Sequence, residues 1–383
     1  YVLMETVSTS LSQIAGKPER VFDYRGSLAE FKACMPNSKL IILNGVKDVL
    51  ESWDALRHAP SRLERDTWLL ANETILLDNE LIRCADGLLT CLGDGISETE
   101  WSQLRKIYDN AFSLESSESG EMVWLCAPEV FDPLREAHRE FGAWPPYHTV
   151  SHLVENAKID ISTACTPTSL DALKRPLLVP AFDLLNPSIK SKLLARTEYP
   201  TVLIGNFHSE TIPSNADAVF CDLAEGFRIA CVLLNGNGAR IHLNIEEELT
   251  PFSWLTFNRF VRNRCPRMNI PEKFWEAAGN LIRSCLPESP LLNSSENIHF
   301  ERLQNAEGVE QVALYSTRDI YTIPQFRLPD AVRLRKLSGF PFSPFESKEG
   351  RLALPDERWK AHIPPNGMIL FDILPEESAR QDQ

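Results

Sequence analysis

The 383-residue sequence has no Gly-x-Gly-x-x-Gly leading into a helical pattern and no Gly-x-x-x-x-Gly-Lys-Ser/Thr. Without such a loop there is no backbone cradle for a nucleotide's phosphates, and no cofactor is expected. Asn235-Gly236-Asn237-Gly238 comes nearest, but Arg240-Ile241-His242-Leu243 after it alternates like a strand, so it reads as a hairpin turn. Basic charge is also short: 39 Lys and Arg face 53 Asp and Glu, for a net charge of -14. The longest basic cluster, Arg259–Arg267, is interleaved with apolar residues like one helix face. A phosphate-tracking surface needs clustered cations, so nucleic acid is excluded as a partner. No apolar run approaches the ~20 residues that span a bilayer, which excludes a membrane partner. The nine cysteines form no Cys-x-x-Cys pair and no tight Cys/His spacing, so no metal site is expected. They sit in apolar runs such as Ala230-Cys231-Val232 and read as free thiols of a reducing, cytoplasmic compartment. Tyr1–Glu5 reads as a strand already under way, so the chain is expected to be truncated and a signal upstream of Tyr1 stays open.

What is present is α/β in character: hydrophobic residues make up 43% and charged residues 24%. The length suggests two or three domains. Residues 1–119 hold three apolar runs, Val2-Leu3-Met4, Lys39–Leu43 and Gly87–Leu92, the last two closed by Asn44-Gly45 and Gly93-Asp94-Gly95. Runs closed in this way fit parallel strands buried on both faces. Between them, Arg62–Leu77 has helical spacing, and Ser97 to Glu100 is a capping box opening a further helix. These are βα units, about three where a closed barrel needs eight, so the segment reads as the C-terminal part of a (β/α) barrel.

The Ser-rich stretch Leu114–Glu121 reads as a linker. Residues 120–287 again alternate strands (Met122–Cys126, Leu177–Val179, Thr201–Gly205, Ile229–Leu234) with helices (Pro133–Phe141, Thr149–Asn156, Pro187–Arg196, Phe252–Cys265, Glu272–Cys285). That pattern predicts an open, doubly wound sheet. Residues 288–383 carry short strands without helices, among them Val309–Tyr315, Asp319–Ile323, Ala331–Leu337, Trp359–Ile363 and Met368–Ile373. They predict a small antiparallel β-sandwich.

In barrels the chemistry sits at the C-terminal ends of strands. Glu5 ends the first run and Asp94 follows the third, so both are candidate catalytic carboxylates, able to divide the acid and nucleophile roles of glycoside cleavage. Asp94 also fits a turn beside the cap at Ser97. Asn44 ends the middle strand and is a candidate for binding a substrate hydroxyl, although Asn-Gly is also a common turn. Trp144 lies in the rigid loop Gly142–His148 and is the candidate for substrate contact; the other tryptophans lie mostly on apolar helical faces. Cys126 ends a strand, but no Gly-x-Cys-x-Gly occurs, and His208 pairs with no assignable nucleophile.

Asp171–Pro180, the helix after it, Pro200–Gly205, and the closing Ile363–Phe371 resemble stretches of the accessory domains in family 42 β-galactosidases. The phosphorylases of lacto-N-biose and galacto-N-biose are similar in layout. The resemblance covers roughly the last two-thirds of the chain. It implies a barrel end, an amidotransferase-like α/β domain without its nucleophile, a β-sandwich, a carbohydrate substrate, and homo-oligomerisation through the α/β domain. It also implies that the acid/base lies upstream of Tyr1 and that Glu5 is the candidate nucleophile. Glu198-Tyr199-Pro200 departs from the Gly-Gly that the family usually has before the third strand of that domain. Two alternatives stay open: a non-catalytic oligomerisation or interaction module, and an amidotransferase-like hydrolase using Cys126.

Overall fold

The computed structural model describes residues 2–6, 21–48, 53–91, 95–114, 118–134, 146–207, 211–222, 228–244, 270–291, 298–304, 310–328, 332–338, 352–353 and 358–375. In chain order the elements used below are β1 (Val2–Thr6), α1 (Val21–Cys34), β2 (Leu40–Gly45), α2 (Pro60–Ala71), β3 (Thr74–Leu77), β4 (Glu80–Arg83), β5 (Gly87–Cys91) and α3 (Glu98–Ala111). There follow β6 (Val123–Leu125), α4 (Pro146–Ala157), β7 (Thr163–Cys165), β8 (Leu177–Val179), α5 (Pro187–Leu194), β9 (Thr201–Asn206), β10 (Asp217–Asp222), β11 (Arg228–Leu233), β12 (Arg240–Leu243) and α6 (Glu272–Arg283). The last are β13 (Ile298–Gln304), β14 (Glu310–Ser316), β15 (Gln325–Arg327), β16 (Val332–Ser338), β17 (Arg358–Lys360) and β18 (Met368–Pro375).

Three sheets organise the chain. The first is three-stranded and parallel, in the order β1-β2-β5. The second has nine strands in the order β12-β10-β11-β9-β8-β6-β7-β3-β4. Its middle five strands, β9 to β3, are parallel, whereas β11 runs antiparallel to β9 and β10, and β4 runs antiparallel to β3. The sheet is therefore mixed, and the doubly wound expectation holds for its centre alone. The apolar runs are continuous because both faces are covered. Val123, Leu125, Leu177, Val179, Leu203, Ala218, Phe220, Ala230 and Val232 enter one core. Their neighbours Trp124, Cys126, Leu178, Val202, Ile204, Val219, Cys221, Ile229, Cys231 and Leu233 enter the other, with residues of α1, α4 and α6. Helix α1 reaches α4 closely at Gly26, where a Cβ would collide with Tyr147, so the first segment and the α/β segment share one core.

Two local readings differ from the sequence expectation. Arg62–Leu77 is not one helix: α2 stops at Ala71 and Thr74-Ile75-Leu76-Leu77 becomes an edge strand. Asp78 and Asn79 both take positive φ (51° and 68°), the geometry of a tight two-residue hairpin, and hand the chain to β4. The turn at Asn235 is not a hairpin either, because β12 pairs parallel with β10 on the far side from β11. The crossing loop is pinned by Asp217, whose Oδ1 accepts from the backbone N–H of Asn237 and of Ala239, each at 2.8 Å. The expected helices at Pro133–Phe141 and Phe252–Cys265 fall wholly or mostly outside the described residues.

The third sheet is antiparallel throughout and has six strands: Leu352–Ala353, then β16-β18-β14-β13, then Glu118–Ser119. Part of the supposed linker is thus an edge strand of the C-terminal sheet. Gly120 follows it with φ 84°, pressed against the Asp160 carbonyl where a side chain would collide. Across the sheet lies the pair β15-β17, and Phe326, Trp359, Phe300, Phe371 and Ile369 fill the space between. The opposite face, through Leu303, Ala313, Tyr315, Met368 and Leu370, packs on Trp68, Leu69 and Ala71 of α2. Trp68 Nε1 donates to Gln311 Oε1 at 2.9 Å, which satisfies both buried polar groups. The capping box is present as expected: Ser97 Oγ accepts from Glu100 N, and Glu100 Oε2 accepts from Ser97 N at 2.7 Å.

Candidate active site

The three-stranded sheet brings the C-terminal ends of its strands to one edge. Thr6 lies opposite Asn44, which lies opposite Thr90, and Glu5 lies opposite Leu43, which lies opposite Leu89. Because successive residues alternate across a pleated sheet, position 5 falls on the face of Leu43 and Leu89. Leu40 and Ile42 on the other face are fully buried in the core shared with α1 and α4, whereas Leu89 is 48% exposed. The Glu5 face is therefore the one the described elements leave more open. A pocket of ≈ 340 Å³ lies nearer the opposite ends of these strands, lined by Lys39, Ile41, Asp86, Gly87, Leu88 and Leu89.

Asn44 is buried, and its Nδ2 donates to Thr67 Oγ1 on α2 at 3.1 Å. Here it ties the end of β2 to a helix. Beside it, Thr90 Oγ1 and the Tyr108 hydroxyl of α3 lie 2.6 Å apart. Beyond β2, Lys47 bonds the Gly95 carbonyl at 3.0 Å and pairs with Asp54 at 3.3 Å. Glu100 takes Arg57 at 2.8 Å. Hydrogen bonds from the Ser97 backbone, the Arg57 guanidinium and the Ser97 hydroxyl hold Glu100 down to about 2. This network fastens the start of α3 to the segment that follows β2. Asp94 and Trp144 lie outside the described residues.

The α/β sheet offers a second conventional place for chemistry, the crevice beyond its parallel strands. Among the described residues little space is left there. Leu134, His152, Pro180, Ala181, Ile204 and Trp275 leave ≈ 10 Å³, and His152 stacks on Trp275 at 4.7 Å. Cys126 is 1% exposed, and burial, followed by the Glu30 charge, pushes its thiol well above the ordinary range. A nucleophilic cysteine needs the thiolate and access, so the reading of Cys126 as a catalytic residue is corrected: it is a core thiol. His208 lies outside the described residues. In the native protein, iodoacetamide is expected to label exposed Cys34 and to leave Cys126 unmodified until denaturant is added; peptide mapping of the alkylated cysteines checks this.

A polar centre that no motif announced lies where the segments meet. Arg25 of α1 is buried between Glu73, at 2.9 Å, and Glu301 of β13, with which it forms a short ion pair. The Tyr315 hydroxyl donates to Glu301 Oε1 at 2.7 Å. The Ser162 hydroxyl lies 3.2 Å from Glu301 Oε2 and 2.6 Å from Asp160 Oδ1, while Asp160 Oδ2 accepts the Arg302 N–H at 2.8 Å. Burial raises Glu73 to about 7, with Arg25 pulling it down and Glu301 pushing it up. Burial and then the Glu301 charge also raise Asp160. Asp160 reaches the wall of a cleft of ≈ 740 Å³ between the α/β and C-terminal sheets, which is also lined by Glu121, Lys158, Arg175, Arg302, Glu310 and Arg327. The one available sequence signal was Glu301 at an inward position of a strand, between Phe300 and Leu303.

Among the described residues no group of three or more His, Cys, Asp or Glu is arranged to hold a metal ion, and no helix is long and apolar enough to cross a membrane. No family model and no curated protein matches the chain. Solved structures that it resembles include a β-galactosidase from Bacillus circulans sp. alkalophilus, at 9% identity and TM-score 0.42 over 92% of this chain and 66% of that one. A GH42 β-galactosidase from G. stearothermophilus gives 8%, 0.45, 92% and 66% by the same measures. The β-galactosidase of the psychrophilic Marinomonas ef1 gives 9%, 0.45, 96% and 58%. The chain thus spans less than two thirds of these structures. At such values the likeness assigns neither family nor activity.

Proposed function

We propose that the chain is part of a carbohydrate-active enzyme that cleaves O-glycosidic bonds, with Glu5 as its nucleophile. The observation that carries this reading is the register of the parallel sheet, which sets position 5 next to the last residue of β1 and on the more open face. A carboxylate there can attack an anomeric carbon while a second carboxyl group protonates the departing oxygen. Asp94, three residues beyond β5, the strand that β2 separates from β1 in the sheet, is the proposed second carboxylate within the chain; the family resemblance instead puts the acid/base upstream of Tyr1. Trp144 is the proposed stacking surface for a sugar ring. Asn44, at the end of β2 with its amide nitrogen bonded to Thr67, is the proposed contact to a substrate hydroxyl through its carbonyl oxygen. The test is turnover of a panel of chromogenic glycosides by the full-length protein and by its Glu5→Gln variant.

A second reading, an interaction module joining copies through the α/β sheet, draws support from β12. This edge strand carries Ile241 at 51% exposure, and an edge that no described strand pairs, carrying an apolar residue, favours pairing. Sedimentation of the full protein as a single chain would remove it.

A further inference from the structure

Three carboxylates and one cation share the buried centre between the sheets. Arg25 Nε and Nη1 are spent on Glu73 and Glu301. Glu73 Oε1 and Arg25 Nη2 have no hydrogen-bond partner among the described residues. Asp160 accepts from Ser162 and Arg302 N, but no cationic side chain pairs with it among the ion pairs described. With every carboxyl ionised, three buried negative charges would face a single guanidinium, an arrangement whose desolvation cost is far above what one ion pair offsets. At least one carboxyl must hold a proton while the segments stay docked, and the unpaired Glu73 Oε1 is where it fits.

We propose that this centre is a proton-operated latch, which keeps the C-terminal sheet docked on the α/β sheet while protonated and releases it when the proton leaves. A polar path leads to the cleft from Glu301, which shares the Arg25 guanidinium with Glu73. Glu301 is linked by the Ser162 hydroxyl to Asp160, and Asp160 lines the open cleft. The latch halves belong to different segments: Arg25, Glu73, Asp160 and Ser162 on one side, and Glu301 and Tyr315 of β13 and β14 on the other.

Of the other ionisable groups around the centre, Arg302 pairs with Glu310, and Arg65 with Asp66 at 2.7 Å. Glu121 is held by Arg283 at 2.8 Å, and Lys32 pairs with Asp86 at 3.1 Å. Cys84, beside Glu73, is pushed well up by burial. His299 stacks on Tyr315 at 4.9 Å, and burial first, then Lys158, Arg25 and Arg65, hold it well below its ordinary value.

The sign follows from proton linkage. Glu73 is raised from 4.5 to about 7 and Asp160 is raised from 3.8. Groups raised on folding contribute stability that is complete below their unfolded values and is lost as pH climbs through the folded ones. Opening of the joint should therefore grow with pH up to about 8, by up to about tenfold per pH unit for each proton released.

The test is hydrogen exchange of residues 298–304 and 310–316 in the full chain, corrected for intrinsic exchange, from about pH 5 to about pH 8.5. The expected result is protection that falls at least about tenfold over this range. In the Glu73→Gln/Asp160→Asn double variant the fall should be largely abolished. Protection that is independent of pH in the parent protein, or a double variant with the same pH dependence, overturns the proposal. If the variant does not fold, infrared spectroscopy of the parent decides. A protonated-carboxyl band near neutral pH that fades at alkaline pH supports the latch, and its absence sinks it.

Discussion

Glu5→Gln is expected to leave the protein folded and to lower glycoside turnover on the order of 10³-fold or more. The amide keeps the shape of the side chain but cannot attack an anomeric carbon. Substrate affinity should survive, because sugar recognition rests on other groups. The loss should therefore fall on kcat, with KM changed little. Folding should also survive: β1 is held by its parallel ladder to β2, which depends on backbone groups that the substitution leaves alone. A circular dichroism spectrum like the parent's together with lost turnover is the expected pair of results. Near-normal turnover would remove Glu5 from the chemistry.

Arg25→Met carries the largest expected loss of stability, about 3–5 kcal/mol, because it strands Glu301, and Glu73 whenever it is ionised, without their cation. Methionine replaces much of the volume, so packing against Phe22 and the surrounding core is not the main cost. Charge is, and that is testable. Neutralising both partners as well, in Arg25→Met/Glu73→Gln/Glu301→Gln, should recover much of the loss, since removing a whole buried ion cluster is far less harmful than removing one member. Denaturant unfolding of the three proteins separates the possibilities. If the triple variant is no more stable than Arg25→Met, the damage lies in packing, not in uncompensated charge.

Local and strongly patterned features were readable from the sequence. The Ser97–Glu100 box and the strand at Thr201–Gly205 need only a few neighbouring residues to be specified, and each occurs where the pattern puts it. The closing turn did too, with Asn366 at φ 51° ahead of β18. The hairpin β3–β4 was hidden because Thr74–Leu77 continues the apolar spacing of α2, and the deciding signal is the short Asp78-Asn79 turn. The linker reading failed in part for a different reason: Glu118–Ser119 becomes a strand only because β13, far along the chain, offers it an edge. The latch was invisible for the same reason, since Arg25 and Glu301 lie 276 positions apart. At the candidate active site, the apolar run of β1 and the Gly- and Asn-closed runs of β2 and β5 marked the edge, while the bond from Asn44 to Thr67 needed the packing of α2 to appear.

The measurement closest to the central claim is covalent trapping. A fluorinated glycoside that forms the glycosyl-enzyme quickly and hydrolyses it slowly would be incubated with the full-length protein, and the modified peptide identified by mass spectrometry. One added sugar on the peptide carrying Glu5 is the expected result. A sugar on a different carboxylate, or efficient turnover with no trapped species, would contradict the assignment of Glu5 as the nucleophile.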